Sequence, residues 1–237
     1  MKPKLFDMFC CAGGATRGYQ QAGFHVTGAD LRRHPRYVGD AFIHGDALAL
    51  DPGFIRENFD AVHASPPCQG LTEMNNDKSR HVNLIAPTRR LLDATGLPYT
   101  IENVRAARDH LVNPVSLFGT MFDCHMVTSA GQRFVLSRER LFEANWPIRV
   151  PHDPGAEGHP IANVFGGHLR CRAKAYRTGN GTGRTRDFIG EDKPTLARQL
   201  MGMPWASMGE MSEAIPPAYT EWLGRLLIAH LDRRDAA

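Results

Sequence analysis

The sequence predicts an α/β fold: a doubly wound, mostly parallel sheet with a small loop-rich region attached. Three observations lead to this prediction. Five short apolar stretches alternate with turns and helical segments in the first 104 residues, as in consecutive βαβ units. Polar or reactive side chains follow several of these stretches, and such sheets bind ligands at the carboxyl ends of their strands. Between residues 147 and 192, basic residues and Pro or Gly clusters replace this alternation.

The elements follow in order from the apolar patterns. The strands are predicted over 4–10, 25–30, 40–50, 59–65 and 98–104. The first strand leads through a glycine-rich turn into a helix that ends at Gly23, and a second helix is predicted around 84–95. The stretch 135–146 predicts an extended strand with Arg138 and Arg140 on one face, because side chains alternate with period two.

The composition divides the chain into three parts. We expect a sheet domain over 1–146, a small loop-rich region over 147–192 and a C-terminal segment over 193–237 that packs back on the first domain. The last segment contains an amphipathic helix predicted over 216–231.

The overall composition is that of a soluble protein with an ordinary core. The chain has 237 residues, of which 42% are hydrophobic, and a net charge of +3, which permits a nucleic-acid partner without requiring one. The cysteine count, five, is odd, and no spacing is typical of a zinc site, so we predict reduced thiols, a cytoplasmic location and no metal. No apolar run approaches the roughly 20 residues of a membrane span.

The glycine-rich turn over 9–14 indicates a cofactor site. It is neither GxGxxG nor a phosphate loop with its lysine, which disfavours dinucleotides and ATP. Asp30 follows Gly13 by 17 positions, where an acid can hydrogen-bond a ribose hydroxyl pair, and Asp46 could accept from an exocyclic amine. Together these residues predict a nucleoside-containing cofactor. The alternative is a plain glycine turn with two surface acids.

The stretch SPPCQGL, residues 65–71, holds Cys68 behind two prolines. A thiolate can attack C6 of a pyrimidine whose N3 is protonated, and Glu102, at the neighbouring strand end, could supply that proton. Arg138 and Arg140 could hold a phosphate, a carboxylate or a pyrimidine carbonyl. The alternatives are a buried structural cysteine, a solvated acid and a basic edge strand.

These stretches resemble the motifs of the cytosine-C5 DNA methyltransferases, and they occur in the order of that family over nearly the whole chain. The matching stretches are DMFCCAGGATRGYQQAGF (7–24), SPPCQG (65–70), ENV (102–104), SRER (137–140), LMGMPW (200–205) and AIPPAYTEWLG (214–224). The chain departs from the usual pattern at Cys11, where the family has Gly, and at Ser212-Glu213, where it has Gly-Asn.

The resemblance implies the S-adenosylmethionine-dependent methyltransferase fold and a reaction on a flipped-out cytosine of double-stranded DNA. Cys68 would add to C6, Glu102 would assist at N3, and the methyl group of S-adenosylmethionine would move to C5. Arg140 would hold the cytosine carbonyl and orient Glu102, with Arg138 nearby or on the backbone. Asn103 would brace the motif.

The resemblance also assigns binding residues. The cofactor-binding residues would be Phe9, Cys11, Ala12, Gly13, Gly14, Asp30, Leu31, Asp46, Ala47 and Pro67. The DNA-binding residues would be Gln69, Thr72, Arg170, Arg172, Lys174 and Arg184, with 147–192 as the target-recognition region and 71–83 as a mobile loop. We expect a monomer in a bacterial or phage-infected cell, with a role in restriction-modification.

Three other functions stay open at this point. The substrate could be tRNA with the same chemistry, or the chain could be a DNA-binding relative that lost turnover through its changed final motif. A methylase of free nucleotides is a further alternative, but the basic stretch 168–186 would then have no purpose.

Overall fold

A computed structural model describes residues 2–67, 83–171 and 187–235, and it confirms the doubly wound, mostly parallel α/β sheet. The strands are β1 (Lys4–Met8), β2 (His25–Asp30), β3 (Ala41–His44), β4 (Ala61–Ala64), β5 (Tyr99–Asn103), β6 (Val115–Leu117), β7 (His125–Val127), β8 (Arg133–Leu136), β9 (Arg140–Ala144), β10 (Ile161–Phe165) and β11 (His168–Cys171). The helices are α1 (Gly14–Ala22), α2 (Pro52–Asn58), α3 (Ile85–Thr95), α4 (Lys193–Met201), α5 (Met208–Glu213) and α6 (Pro217–Asp235). Short 3₁₀ helices span Ala47–Ala49, Arg105–His110 and Gly119–Phe122.

The large sheet has the strand order β3-β2-β1-β4-β5-β9-β6. Its first five strands are parallel, whereas β9 is antiparallel to both β5 and β6. The chain runs outward from β1 to β3 and then returns to β4 on the other side of β1. This reversal makes a crevice beyond the carboxyl ends of β1 and β4, where sheets of this kind bind ligands.

The strands of the large sheet are buried on both faces, which explains their continuous apolar runs. In β1, Phe6 packs with the core beside α3, while Leu5 packs with Tyr19 of α1 and Leu223 of α6. All four residues of β4 are buried as well. Helices therefore cover both sides of the sheet and leave its strand ends as the accessible edge.

Helices α1 and α6 approach each other at a glycine. A Cβ atom at Gly18 would lie 2.1 Å from both the Pro217 carbonyl oxygen and the Thr220 hydroxyl oxygen. The Thr220 hydroxyl donates instead to the Ala15 carbonyl, at 2.9 Å. The absence of a side chain at Gly18 thus lets α6 lie directly on the helix that follows the glycine-rich turn.

A second sheet has the order β11-β10-β8-β7 and shares a core with α4 and α5. Two of its strands, β7 and β8, precede residue 147, so the boundary predicted at 146 does not follow the division between the sheets. The region 147–192, predicted to be loop-rich, contributes β10 and β11. In the part of the chain that the structure describes, no helix is both long and apolar enough to cross a membrane.

The single strand predicted over 135–146 is wrong. Strand β8 ends at Leu136 in the second sheet, and β9 begins at Arg140 in the large sheet. Residues 137–139 carry the chain between the sheets, so Arg138 and Arg140 do not share one face. The period-two rule holds only within a continuous strand, and here two strands meet.

Asp7 is a buried carboxyl group within β1. It is fully buried, it accepts a hydrogen bond from the Thr16 hydroxyl, and its Oδ1 atom has no hydrogen-bond partner among the described residues. Burial raises the pKa of Asp7 from 3.8 to about 7. Protonated Asp7 is therefore the form that the fold favours.

We expect Asp7→Asn to reduce the loss of stability at high pH. Because the folded-state pKa lies above the unfolded value, the stabilisation is full below about pH 4 and is lost as the pH rises through 7. This pKa shift corresponds to about 4 kcal/mol of unfolding free energy. Urea unfolding should therefore show that the free energy of unfolding of Asp7→Asn, relative to that of the wild type, is higher at pH 8 than at pH 5. An equal effect at both pH values would contradict the shift, and exposed Asp109→Asn is the control.

We expect Gly18→Ala to lower the free energy of unfolding by about 2 kcal/mol, since its Cβ would overlap the backbone of α6. Alanine normally stabilises a helix by about 1 kcal/mol relative to glycine. The matched control is Gly209→Ala in α5, where a Cβ would meet nothing within 4 Å. Urea unfolding should thus give opposite signs for the two variants; equal signs would argue against the close helix contact.

Candidate active site

The glycine-rich turn forms one wall of the crevice at the end of β1. The backbone is left-handed at Phe9 (φ 62°), Cys11 (φ 46°) and Gly13 (φ 84°). The backbone N–H groups of Phe9 and Cys10 both donate to the Ala29 carbonyl, at 2.9 and 3.2 Å, which folds the turn over the end of β2. Left-handed non-glycine residues are sparse and gather at functional sites. Cys11 therefore keeps the turn conformation that glycine adopts more easily.

The C-terminal part of the chain closes over this turn. A Cβ atom at Gly14 would lie 2.4 Å from the Ile215 carbonyl oxygen, so only glycine permits this contact. The Trp205 indole N–H donates to the Ala12 carbonyl at 3.0 Å, and the Arg17 guanidinium lies 5.5 Å from the Trp205 ring centroid. Trp205 belongs to the LMGMPW stretch, but its contact with the turn was not predicted from the sequence.

The two acids predicted at strand ends are both held by backbone N–H groups. Asp30 accepts from Cys11 N at 3.1 Å and from Arg32 N at 2.9 Å, and His34 Nε2 lies 3.4 Å from its Oδ2. Asp46 accepts from Leu48 N at 2.9 Å and caps the 3₁₀ helix that begins at Ala47. Each carboxylate keeps lone pairs for a further donor.

An apolar surface lies next to these acids. Leu31 directly follows Asp30 and is 67% exposed, an unusual position for a large apolar side chain. Burial raises the pKa of the Cys11 thiol to about 12, so the thiol stays protonated at neutral pH. Carboxylates with free lone pairs beside an exposed leucine suit a ligand that combines hydroxyl groups with an apolar ring.

The second wall of the crevice carries a buried acid. Glu102 in β5 is 6% exposed, and its Oε1 atom lies 3.0 Å from Arg140 Nε. Burial raises the pKa of Glu102, while Arg140 and the Ser65 side chain oppose that rise. The carboxyl group therefore keeps a proton at higher pH than an exposed glutamic acid does.

Asn103 joins this strand end to the Pro-Pro turn. Its side-chain amide donates to the Pro66 carbonyl at 3.0 Å, and its Oδ1 atom accepts from Val104 N at 3.0 Å. Pro66 is buried and Pro67 is exposed. The backbone that leads to Cys68 is thereby held against the strand that carries Glu102.

The Arg138 side chain donates its hydrogen bonds to backbone carbonyls and not to Glu102. Its guanidinium, in a residue only 7% exposed, donates to the carbonyls of Val164 (2.6 Å), Ser212 (2.5 Å) and Ala214 (3.1 Å). Its own carbonyl accepts from the Tyr219 hydroxyl. Arg138 thus joins β10, α5 and α6, and Arg140 alone of the two arginines pairs with the acid.

The predicted DNA-binding residues are only partly described. Arg170 lies in β11 with its guanidinium 5.6 Å from the ring centroid of the exposed Phe165. The predictions for Cys68, Gln69, Thr72, Arg172, Lys174 and Arg184 fall on 68–82 and 172–186, outside the described residues.

A buried histidine near Glu102 was not predicted. His63 in β4 is fully buried, with Nδ1 3.1 Å from the Tyr19 hydroxyl and Nε2 3.0 Å from the Ser65 hydroxyl. The sequence contained one available signal, a histidine inside an otherwise apolar strand two residues before Ser65.

No protein-family model matches the chain. A type II methyltransferase, M.AgeI of Thalassovita gelatinovora, is 35% identical over 83 residues. That alignment spans 29% of this chain and 19% of the relative, so the chain matches only a small part of that protein.

Solved structures match over almost the whole chain. A DNA modification methyltransferase encoded within an E. coli prophage gives a TM-score of 0.61 at 14% identity and covers 97% of this chain and 99% of that one. The Dnmt2 methyltransferase of S. pombe gives a TM-score of 0.57 at 12% identity, with 97% and 99% covered. The Entamoeba histolytica methyltransferase EhMeth gives 0.57 at 11% identity, with 98% and 99% covered.

The chain has the methyltransferase fold. The crevice at the β1–β4 switch point is therefore the candidate ligand-binding site.

We expect Arg138→Lys to lower the free energy of unfolding by about 3 kcal/mol, because a lysine cannot donate to all three carbonyls from one planar group. The control is Arg36→Lys, whose half-exposed side chain pairs with Glu210 and which should change stability by less than about 1 kcal/mol. Urea unfolding measures both. Similar losses in the two variants would contradict the bracing role of Arg138.

Proposed function

We propose that this protein is an S-adenosylmethionine-dependent DNA cytosine-C5 methyltransferase. The observation that carries the proposal is the buried Glu102–Arg140 pair beside a Pro-Pro turn that Asn103 ties to the same strand end. A carboxyl group whose pKa is raised by burial thus lies beside the backbone that leads to Cys68. The prophage DNA modification methyltransferase and the type II relative support DNA as the substrate.

The first wall of the crevice would hold the cofactor. Asp30 would accept from the ribose hydroxyl pair, Asp46 from the adenine amine, and Leu31 would cover the adenine ring, while the turn over 9–14 and Pro67 would complete the pocket. When bound, S-adenosylmethionine supplies the methyl group that C5 of cytosine takes.

The second wall would activate the cytosine. The Cys68 thiolate forms a bond to C6, and Glu102 donates its proton toward N3, so that the electrons of the C5–C6 double bond become available at C5. After methylation, the C5 proton passes to solvent, the Cys68 thiolate is expelled from C6, and the N3 proton returns to Glu102, which restores the aromatic ring and the acid. Burial raises the pKa of Glu102, which is the direction that this role requires, because the acid must donate a proton.

Arg140 would serve two purposes in this scheme. Its Nε contact holds the Glu102 carboxyl group in one orientation, and its remaining N–H groups can donate to the cytosine carbonyl. Arg138 would support the site indirectly, since its guanidinium is taken up by backbone carbonyls.

The target base must leave the stack, because C6 is covered in duplex DNA. Unstacking costs a few kcal/mol, which contacts with phosphates and base edges must offset. We propose that the second sheet and the basic segment after it make these contacts, with the Arg170–Phe165 pair at their edge. We further propose that the protein acts as a monomer, since the target is one cytosine at an asymmetric position.

We expect the purified protein to convert cytosine to 5-methylcytosine in unmodified DNA supplied with S-adenosylmethionine. Mass spectrometry of the digested nucleosides detects the product. Cys68→Ser should abolish it without weakening cofactor binding, because a hydroxyl is a far poorer nucleophile than a thiolate. Cys124→Ser, at a half-buried cysteine in the turn before β7, is the control and should keep the activity.

The same assay on tRNA distinguishes the polymer. Methylation of DNA alone supports the proposal, whereas methylation of tRNA alone moves the activity to RNA. Binding of S-adenosylmethionine without a methylated base in either polymer would overturn the assigned reaction. Unchanged product formation by Cys68→Ser would overturn the assigned nucleophile.

A further inference from the structure

A chain of buried polar side chains runs from α1 to Glu102. Tyr19 and His63 are both fully buried, and Ser65 is half-buried at the end of β4. The Tyr19 hydroxyl lies 3.1 Å from His63 Nδ1, and His63 Nε2 lies 3.0 Å from the Ser65 hydroxyl. Ala64 pairs with Ile101 in the parallel register of β4 and β5, so the next residue, Ser65, lies beside Glu102 and lowers the pKa of its carboxyl group. A buried network of this kind persists only when its donors and acceptors are matched.

The directions of the hydrogen bonds in this chain follow from the contact between Ser65 and Glu102. The Ser65 side chain lowers the pKa of Glu102, as expected when its hydroxyl proton is directed at that carboxyl group. Its oxygen must then accept from His63 Nε2–H. Burial lowers the pKa of His63 to about 3, so the ring is neutral and carries one proton. With that proton on Nε2, Nδ1 is an acceptor and the Tyr19 hydroxyl is its donor.

We propose that His63 is a positioning residue that acts through Ser65 to set the orientation and proton occupancy of Glu102. This proposal rests on the proposed function only for its effect on catalysis. Tyr19 fixes the ring tautomer, since burial holds its pKa far above the ordinary value and keeps the hydroxyl a permanent donor. The helix that begins at the glycine-rich turn is thereby connected to the acid on the opposite wall of the crevice.

Other charged and titratable groups also face this chain. Arg140 from β9 and Arg138 from the link between the sheets both lower the pKa of Glu102. Tyr219 of α6 and Asp7 of β1 interact electrostatically with the same carboxyl group. Asp7 is also the strand neighbour of His63 in register, so the tests below are repeated in an Asp7→Asn background.

Two substitutions of His63 separate the two ends of its ring. Glutamine carries its amide near the position of Nε2 and can keep the hydrogen bond to Ser65. Asparagine carries its amide near Nδ1 and can keep the bond to Tyr19 while losing Ser65. The proposal requires His63→Asn to behave like Ser65→Ala, and His63→Gln to behave like the wild type. Exposed His25→Asn is the control.

The first measurement does not depend on enzymatic activity. Carboxyl ¹³C NMR of protein labelled in glutamate gives the pKa of Glu102, whose signal is assigned by its loss in Glu102→Gln. We expect Ser65→Ala and His63→Asn each to raise this pKa by about one unit, the size of one hydrogen bond to a carboxylate. Equal effects of His63→Asn and His63→Gln, or no effect of Ser65→Ala, would overturn the proposal.

The second measurement is the pH profile of single-turnover methyl transfer. Since the protonated acid is the active form, the rate falls as the pH rises through the pKa of Glu102. Ser65→Ala and His63→Asn should move this basic limb upward by about one pH unit, with cofactor affinity unchanged. An unmoved limb would overturn the proposal. If the wild type transfers no methyl group, the proposed function fails, and the NMR titration still tests whether His63 acts on Glu102 through Ser65. If His63→Asn does not fold, Ser65→Ala carries both tests.

Discussion

The Arg138 guanidinium holds the link between the two sheets of this protein in place. It donates to the carbonyls of Val164, Ser212 and Ala214, which belong to β10, to α5 and to the segment that leads into α6. Because the charge is buried, these hydrogen bonds act in a medium of low dielectric and replace the water that the arginine lost. The link 137–139 is held in place by this cluster, and Arg140 directly follows it. The position of Arg140 beside Glu102 therefore depends on the hydrogen bonds that Arg138 makes to β10, to α5 and to Ala214.

Two glycines allow the helix after the glycine-rich turn to lie against the C-terminal segment. Gly14 touches the Ile215 carbonyl and Gly18 touches α6, so the helix after the glycine-rich turn lies in direct contact with the C-terminal segment. Ser212 adds a third connection, since its hydroxyl oxygen accepts from Gly167 N between β10 and β11. Ser212, at which the sequence departs from the Gly-Asn of the motif it resembles, thus forms hydrogen bonds with both Arg138 and Gly167.

The layer between the large sheet and α1 contains polar groups that stay neutral. Asp7 holds its proton up to about pH 7, His63 is uncharged, and Tyr19 keeps its hydroxyl proton because burial disfavours the charged form of each group. Glu102 lies in the same layer, and the charge of Arg140 and the Ser65 side chain partly offset its desolvation. The acidity of Glu102 is therefore set by its whole surroundings.

The sequence alone determined where the five parallel strands lie along the chain, the glycine-rich turn, the strand-end positions of Asp30 and Glu102, and the C-terminal amphipathic helix. These features follow from local rules, since apolar periodicity and glycine placement act over a few residues. Only the tertiary structure decided that Arg138 and Arg140 point to different partners, that β7 and β8 belong to the second sheet, and that His63 reaches Ser65. Each of these depends on which strands become neighbours in space, and burial then makes a hydrogen bond or a pKa shift out of residues that are far apart in the chain.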